Sequence, residues 1–180
     1  MAVSVSKKAL GIGLTDAAAL LFIFAVPALS HLSALPFYLM DPMRVAVLGA
    51  LLVSRNWKNG LALAVALPLF SFAVSGHPVF PKCLLIAAEL SVNVMLFVWL
   101  SRAFCRFSAG RGASAPSSGR AAVGAATFLS ILLSKVLYYG LKVLVLSAGL
   151  MQMELVSTAL MVQLAVALLI SLGFAIWWKK

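Results

Sequence analysis

Residues 81–104 read PKCLLIAAELSVNVMLFVWLSRAF, and this stretch decides the class of fold. Between Lys82 near its start and Arg102 near its end, Glu89 is the one charged residue. A stretch of about 20 mostly apolar residues is long enough to cross a bilayer as a helix. The rest of the chain has the same character. Of its 180 residues, 64% are hydrophobic and 10% are charged, with a mean hydropathy of +1.12. Soluble domains are roughly 45–50% apolar and about 25% charged. This chain has too few polar residues to cover a water-facing surface, which excludes a soluble globular enzyme, a disordered tail and a disulfide scaffold.

Working outward, Pro, Gly and the charges divide the sequence into six candidate spans, near 9–29, 36–53, 57–74, 81–104, 121–147 and 153–178. The expected fold is all-α, a polytopic six-transmembrane-helix bundle forming one membrane domain over 1–180. Residues 108–119, rich in Ser, Gly and Ala, read as a flexible cytoplasmic loop. The second span has an unusual start. Asp41 before Pro42 looks like an N-cap followed by Pro at the first helical position. A helix over 42–54 would be only about 20 Å long, too short to cross alone. The segment 31–40 is therefore expected as a long, partly inserted outer loop. Cys83 and Cys105 lie roughly 33 Å apart along one helix and cannot bridge.

The net charge is +10, from 14 Lys and Arg against 4 Asp and Glu. In a soluble protein this would suggest nucleic acid. Here it reads as orientation. Lys7 and Lys8, Arg55 and Lys58, the group Arg102, Arg106, Arg111 and Arg120, and Lys179 and Lys180 all fall on one side of six spans. Cytoplasmic loops attract Lys and Arg, so both termini are expected inside, and no nucleic-acid partner is expected. The basic start also resembles a signal peptide. Asp16 interrupts its apolar region, and cleavage would break the even span count, so 9–29 is read as a retained span.

The remaining polar residues carry the functional information, because charges in hydrocarbon are costly and usually face the bundle interior. Asp41 and Arg44 stand near the outer end of the second span, at an i,i+3 spacing that would pair them. Lys82, Glu89 and Asn93 recur at seven and four residues and form one stripe on the fourth. Lys135, Tyr138, Tyr139 and Lys142 share a face of the fifth, with Ser134 beside them. The sixth offers Glu154 at its outer start and Gln163 about 14 Å deeper. His77 sits in the outer turn before the fourth span. One reading is an ion-pair network that fixes packing, for example Glu89 with Lys135 or Lys142. The other is a polar pocket for a small solute, with aromatic side chains to stack on it. The shared outer location favours the pocket. Its four positive and three negative charges suit a carboxylate- or phosphate-bearing solute.

Several chemistries have no support. His31 and His77 lack neighbouring carboxylate or thiolate ligands, so no metal is expected, and no cofactor. There is no H-E-x-x-H, G-x-S-x-G or Walker A pattern, so catalysis and autonomous ATP hydrolysis are not expected. Ser134 and Lys135 are adjacent, which does not bring helical side chains face to face. In the first span, Gly11, Thr15 and Ala19 form one row of small residues, and Gly13 and Ala17 another. Such rows permit close helix approach in lipid. Asp16 lies among them with no evident partner in sequence.

With six spans in 180 residues, the stretch Gly76-His77-Pro78-Val79-Phe80-Pro81-Lys82 leading to Glu89, and Ser134-Lys135-Val136-Leu137-Tyr138-Tyr139, the chain resembles the S components of energy-coupling factor (ECF) transporters. The resemblance implies a subunit of the bacterial or archaeal cytoplasmic membrane. Such a subunit binds a vitamin or related micronutrient from outside, and the charge balance of the pocket residues suits an anionic one. It works with a transmembrane T component and two cytoplasmic ATPases that drive uptake. It also implies T-component docking through small residues of the first helix, here Gly13, Ala17, Ala18 and Ala19. The substrate-binding set is then Asp41, Arg44, His77, Lys82, Glu89, Asn93, Lys135, Tyr138, Tyr139, Lys142, Glu154 and Gln163. The alternatives are a non-transport six-span scaffold similar to the small rod-shape protein family, and an intramembrane enzyme.

Overall fold

The computed structural model describes residues 2–33, 37–76, 78–110, 116–149 and 159–178. These residues are helical throughout, with no strand among them. Six α-helices run α1 Ala2–Ser33, α2 Pro42–Ser54, α3 Trp57–Ser75, α4 Phe80–Gly110, α5 Pro116–Ser147 and α6 Leu160–Trp177. A 3-10 turn, Phe37–Met40, precedes α2. Five of the six are long and apolar enough to cross a membrane, within Ala9–Ser30, Trp57–Ser75, Phe80–Phe104, Gly119–Ser147 and Leu160–Trp177. The architecture is that of a multi-pass membrane protein.

The second span of the sequence reading, expected near 36–53, is the exception. The α2 helix has 13 residues, as Pro42 dictates. Pro stands at the first helical position, where its missing N–H costs nothing. Asp41 occupies the N-cap with φ 51°, a left-handed conformation that Asp tolerates better than most residues. Its carboxylate makes no capping hydrogen bond to the helix. Arg55 closes the other end with φ 51°, its N–H donating to the Leu51 carbonyl at 2.9 Å. Only Arg55 and Asn56 separate α2 from α3. Asn56 caps α3, its side-chain oxygen accepting from the Lys58 N–H at 3.2 Å. Gly76 ends α3 with φ 66° and donates to the Phe72 carbonyl at 2.8 Å.

Other boundaries also move from the sequence reading. The α4 helix continues to Gly110 and α5 begins at Pro116, so the expected loop over 108–119 is helical at both ends. Apolarity marks the stretch that suits lipid, whereas the backbone hydrogen-bond ladder continues through Ser, Ala and Arg beyond it. The α6 helix is described from Leu160 rather than 153, and residues 150–158 lie outside the described set.

Packing gathers the chain into two compact units, Met1–Ser91 and Val92–Lys180, divided within α4. In the first, α2 packs against both α1 and α3, and α1 also meets α3 and the 3-10 turn. Its core is apolar, built on Val47, Leu48, Ala64 and Leu67. Only Val53 of α2 is exposed. In the second unit α5 and α6 pack together. A Cβ added at Gly124 would lie 3.1 Å from the Ala175 Cβ, so this glycine lets the two helices approach closely. The outward faces of α6 carry exposed Leu, Met, Ile and Val, as a lipid-facing helix requires.

Candidate functional site

In the first unit the polar residues converge on Arg44. One turn into α2, its Nε lies 3.1 Å from Asp41 Oδ2, confirming the i,i+3 pair. Its Nη2 donates to Glu89 of α4. The sequence reading offered lysines to Glu89 and did not consider Arg44, 45 positions away. The arginine side chain is 1% exposed and that of Glu89 4%. Arg44 Nη1 is buried without a hydrogen-bond partner. Two carboxylates thus flank one guanidinium. Lys82, in the first turn of α4, is half-buried.

Asp16 also has a partner that spacing alone did not reveal. Asn59, in the first turn of α3, donates from Nδ2 to Asp16 Oδ1 at 2.7 Å. The row of small residues around it divides. Ala19 is buried, whereas Gly13, Ala17 and Ala18 are exposed, and no atom stands within 4 Å of a Cβ placed on Gly13.

In the second unit the polar face belongs to α5. Thr127, Ser130, Ser134, Tyr138 and Lys142 are buried at three- and four-residue intervals, a single stripe along the helix. Thr127 and Ser130 were missed in sequence, although the same spacing extends to them. Each hydroxyl of the Thr127–Ser134 set donates to a carbonyl of its own helix: Val123, Thr127 and Ile131, at 2.8, 2.9 and 3.0 Å. Asn93 of α4, fully buried, donates to Ser130 Oγ at 3.2 Å, and its Oδ1 has no partner. Tyr139 and Lys135 border the stripe and are half-buried.

The C-terminal part of the α5 stripe is aromatic and cationic. Lys135 Nζ lies 5.5 Å and Lys142 Nζ 6.0 Å from the centroid of the Tyr138 ring. Tyr138 meets Tyr139 edge to face, with centroids 5.5 Å apart. Tyr139 Oη in turn accepts from Gln163 Nε2 of α6 at 2.6 Å. These contacts fix the tyrosine pair between two helices. His77 and Glu154 lie outside the described residues. Among the described residues, no three His, Cys, Asp or Glu side chains gather in a way that could hold a metal ion.

Compared with known proteins, the chain matches no family profile, and no significant match is found among curated proteins or solved structures.

Proposed function

We propose that the chain is the substrate-binding subunit of an ECF-type ABC transporter. It captures a small vitamin-like micronutrient from the outer face, and a T component with two cytoplasmic ATPases drives uptake. One observation carries this reading: each of the two units of this membrane-type chain buries charged and polar side chains. They are Arg44 and Glu89 in the first unit, and Asn93, Thr127, Ser130, Ser134 and Lys142 in the second. In lipid each such group is costly, and intramembrane charges characteristically mark solute pathways. The sequence resemblance adds the transporter class. The exposed small residues Gly13, Ala17 and Ala18 suit a helix-docking role toward the T component. The ten basic residues that the sequence sets beside the expected spans support a topology with both termini in the cytoplasm.

The test begins with the purified full chain in detergent. Organic extraction and mass spectrometry should recover one small molecule in near-stoichiometric amount, and adding it back should raise the thermal midpoint. A chain that carries no small molecule but holds a stable membrane-protein partner would instead support the scaffold alternative.

A further inference from the structure

The geometry points to a binding site for an anionic phospholipid at the arginine-rich end of the second unit, with the headgroup phosphate on Arg102 and Arg106 of α4. Met95, Trp99, Arg102 and Arg106 are all exposed and follow one another at four, three and four residues, so they share one face of the helix. Along that face the chemistry runs from apolar to aromatic to cationic. The apolar span ends at Phe104, whereas the helix continues to Gly110. The helix itself therefore carries Arg106 past the hydrocarbon to headgroup level. Residues four apart on a helix have Cβ atoms roughly 5–6 Å apart, so two guanidinium groups can close on one phosphate. Tryptophan is enriched at the membrane–water boundary, where its amphipathic ring lies level with the headgroups. Trp99, 66% exposed, stands one turn before Arg102.

The register of the unit brings the neighbouring helices to the same depth. Asn93 of α4 bonds to Ser130 of α5, and five residues join α4 to α5, which makes the two antiparallel. At about 1.5 Å per residue, Arg102 lies roughly 14 Å beyond Asn93, and Arg120 roughly 15 Å before Ser130. Arg120 is exposed as well. Gly124, about 9 Å from Ser130 toward the same end, packs against Ala175 of α6. Trp177, two residues beyond Ala175, is 51% exposed. Trp99, Trp177, Arg102 and Arg120 thus stand within about one helical turn of a common level, with Arg106 one turn beyond. Orientation in the membrane asks only for positive charge on one side. It does not ask for tryptophan at the same level, nor for arginines in line with a lipid-facing stripe. Met95 on α4, with Leu172 and Ile176 on α6, is exposed on the hydrocarbon side and suits acyl chains. On the expected topology this end meets the cytoplasmic leaflet, whose surface is anionic. These residues are distinct from those assigned to solute binding, and the lipid site stands whether or not a solute binds.

The experiment uses the full chain, delipidated in dodecyl maltoside, with dioleoyl phosphatidylglycerol and dioleoyl phosphatidylcholine as probes. Native mass spectrometry counts the lipids retained, and thermal unfolding reads stabilisation. Phosphatidylglycerol is expected to stay bound and raise the midpoint. Phosphatidylcholine, whose phosphate is offset by its own choline, is expected to do neither. A basic residue near an anionic surface contributes about fivefold in affinity, so Arg102→Gln combined with Arg106→Gln should weaken phosphatidylglycerol binding roughly 25-fold. Both side chains are exposed, and Arg111 and Arg120 remain in sequence between α4 and the α5 span to keep the orientation signal. Lys58→Gln, at an exposed cation beside Trp57 in the first unit, is the control and should leave binding nearly unchanged. Equal retention of the two lipids by the wild type overturns the proposal, even if the double variant fails to fold. A phosphatidylglycerol preference that survives the double variant overturns it too. So does an equal loss in Lys58→Gln, which would mark a diffuse effect of positive charge rather than a site on α4.

Discussion

Arg44 shows how one side chain can hold two elements in register. Its guanidinium joins the start of α2 to Glu89 of α4 in a setting almost without solvent. Removing one partner of a buried pair leaves an uncompensated charge, which costs about 3–5 kcal/mol. Glu89→Ala is therefore expected to lower the thermal midpoint of the detergent-solubilised protein sharply. Arg44→Met combined with Glu89→Leu should recover most of the loss, because apolar packing replaces a buried pair at little cost. If the double variant is as unstable as the single one, the cluster does more than neutralise itself. Ligand binding retained by the double variant would assign these residues to packing. The Asp41–Arg44 contact was legible from an i,i+3 spacing. The Arg44–Glu89 and Asp16–Asn59 contacts were not, because they join residues 45 and 43 positions apart, and periodicity carries no information about which helices become neighbours.

At the scale of the element, α5 was the most readable helix and also the most instructive miss. Lys135, Tyr138, Tyr139 and Lys142 were placed on one face by spacing. The structure turns that face slightly, so that Tyr138 and Lys142 are buried with Ser134, Ser130 and Thr127, while Lys135 and Tyr139 border it. Serine and threonine are easily overlooked in such a reading because they bond back to their own helix. The opposite side of the fit with α6 depends on Gly124, where an added Cβ would meet Ala175 Cβ at 3.1 Å and the Ser171 carbonyl at 3.6 Å. Gly124→Leu should force the two helices apart and cost about 1–3 kcal/mol, read as a lowered thermal midpoint. Gly124→Ala asks for a shift of only a few tenths of an ångström and should be much milder. Equal midpoints for the wild type and Gly124→Leu would show that this approach is not under constraint.

For the whole molecule, composition alone indicated an all-helical membrane protein, and five helices of spanning length bear that out. The short α2 was legible too, from Pro42 and the 13 residues that follow its cap. Its 3-10 lead-in was not, since a brief tight turn leaves little trace in hydropathy. Of the 14 basic residues behind the +10 net charge, which first suggested nucleic acid, ten flank the spans expected from sequence, and Arg44, Lys82, Lys135 and Lys142 are buried or half-buried. The shortness of α2 bears on how the protein is made. Thirteen residues with an arginine in the first turn are a poor substrate for the translocon, on whose scale a central arginine costs about 2.5–3.5 kcal/mol. Glu89 leaves the ribosome 45 residues after Arg44, a delay of seconds at roughly 5–20 residues per second. During that interval Asp41 is the only partner Arg44 has in its final cluster. Co-translational insertion of α2 must therefore wait for its neighbours. A nascent chain released after Ser75 should leave α2 accessible to protease at the membrane surface, and the complete chain should protect it.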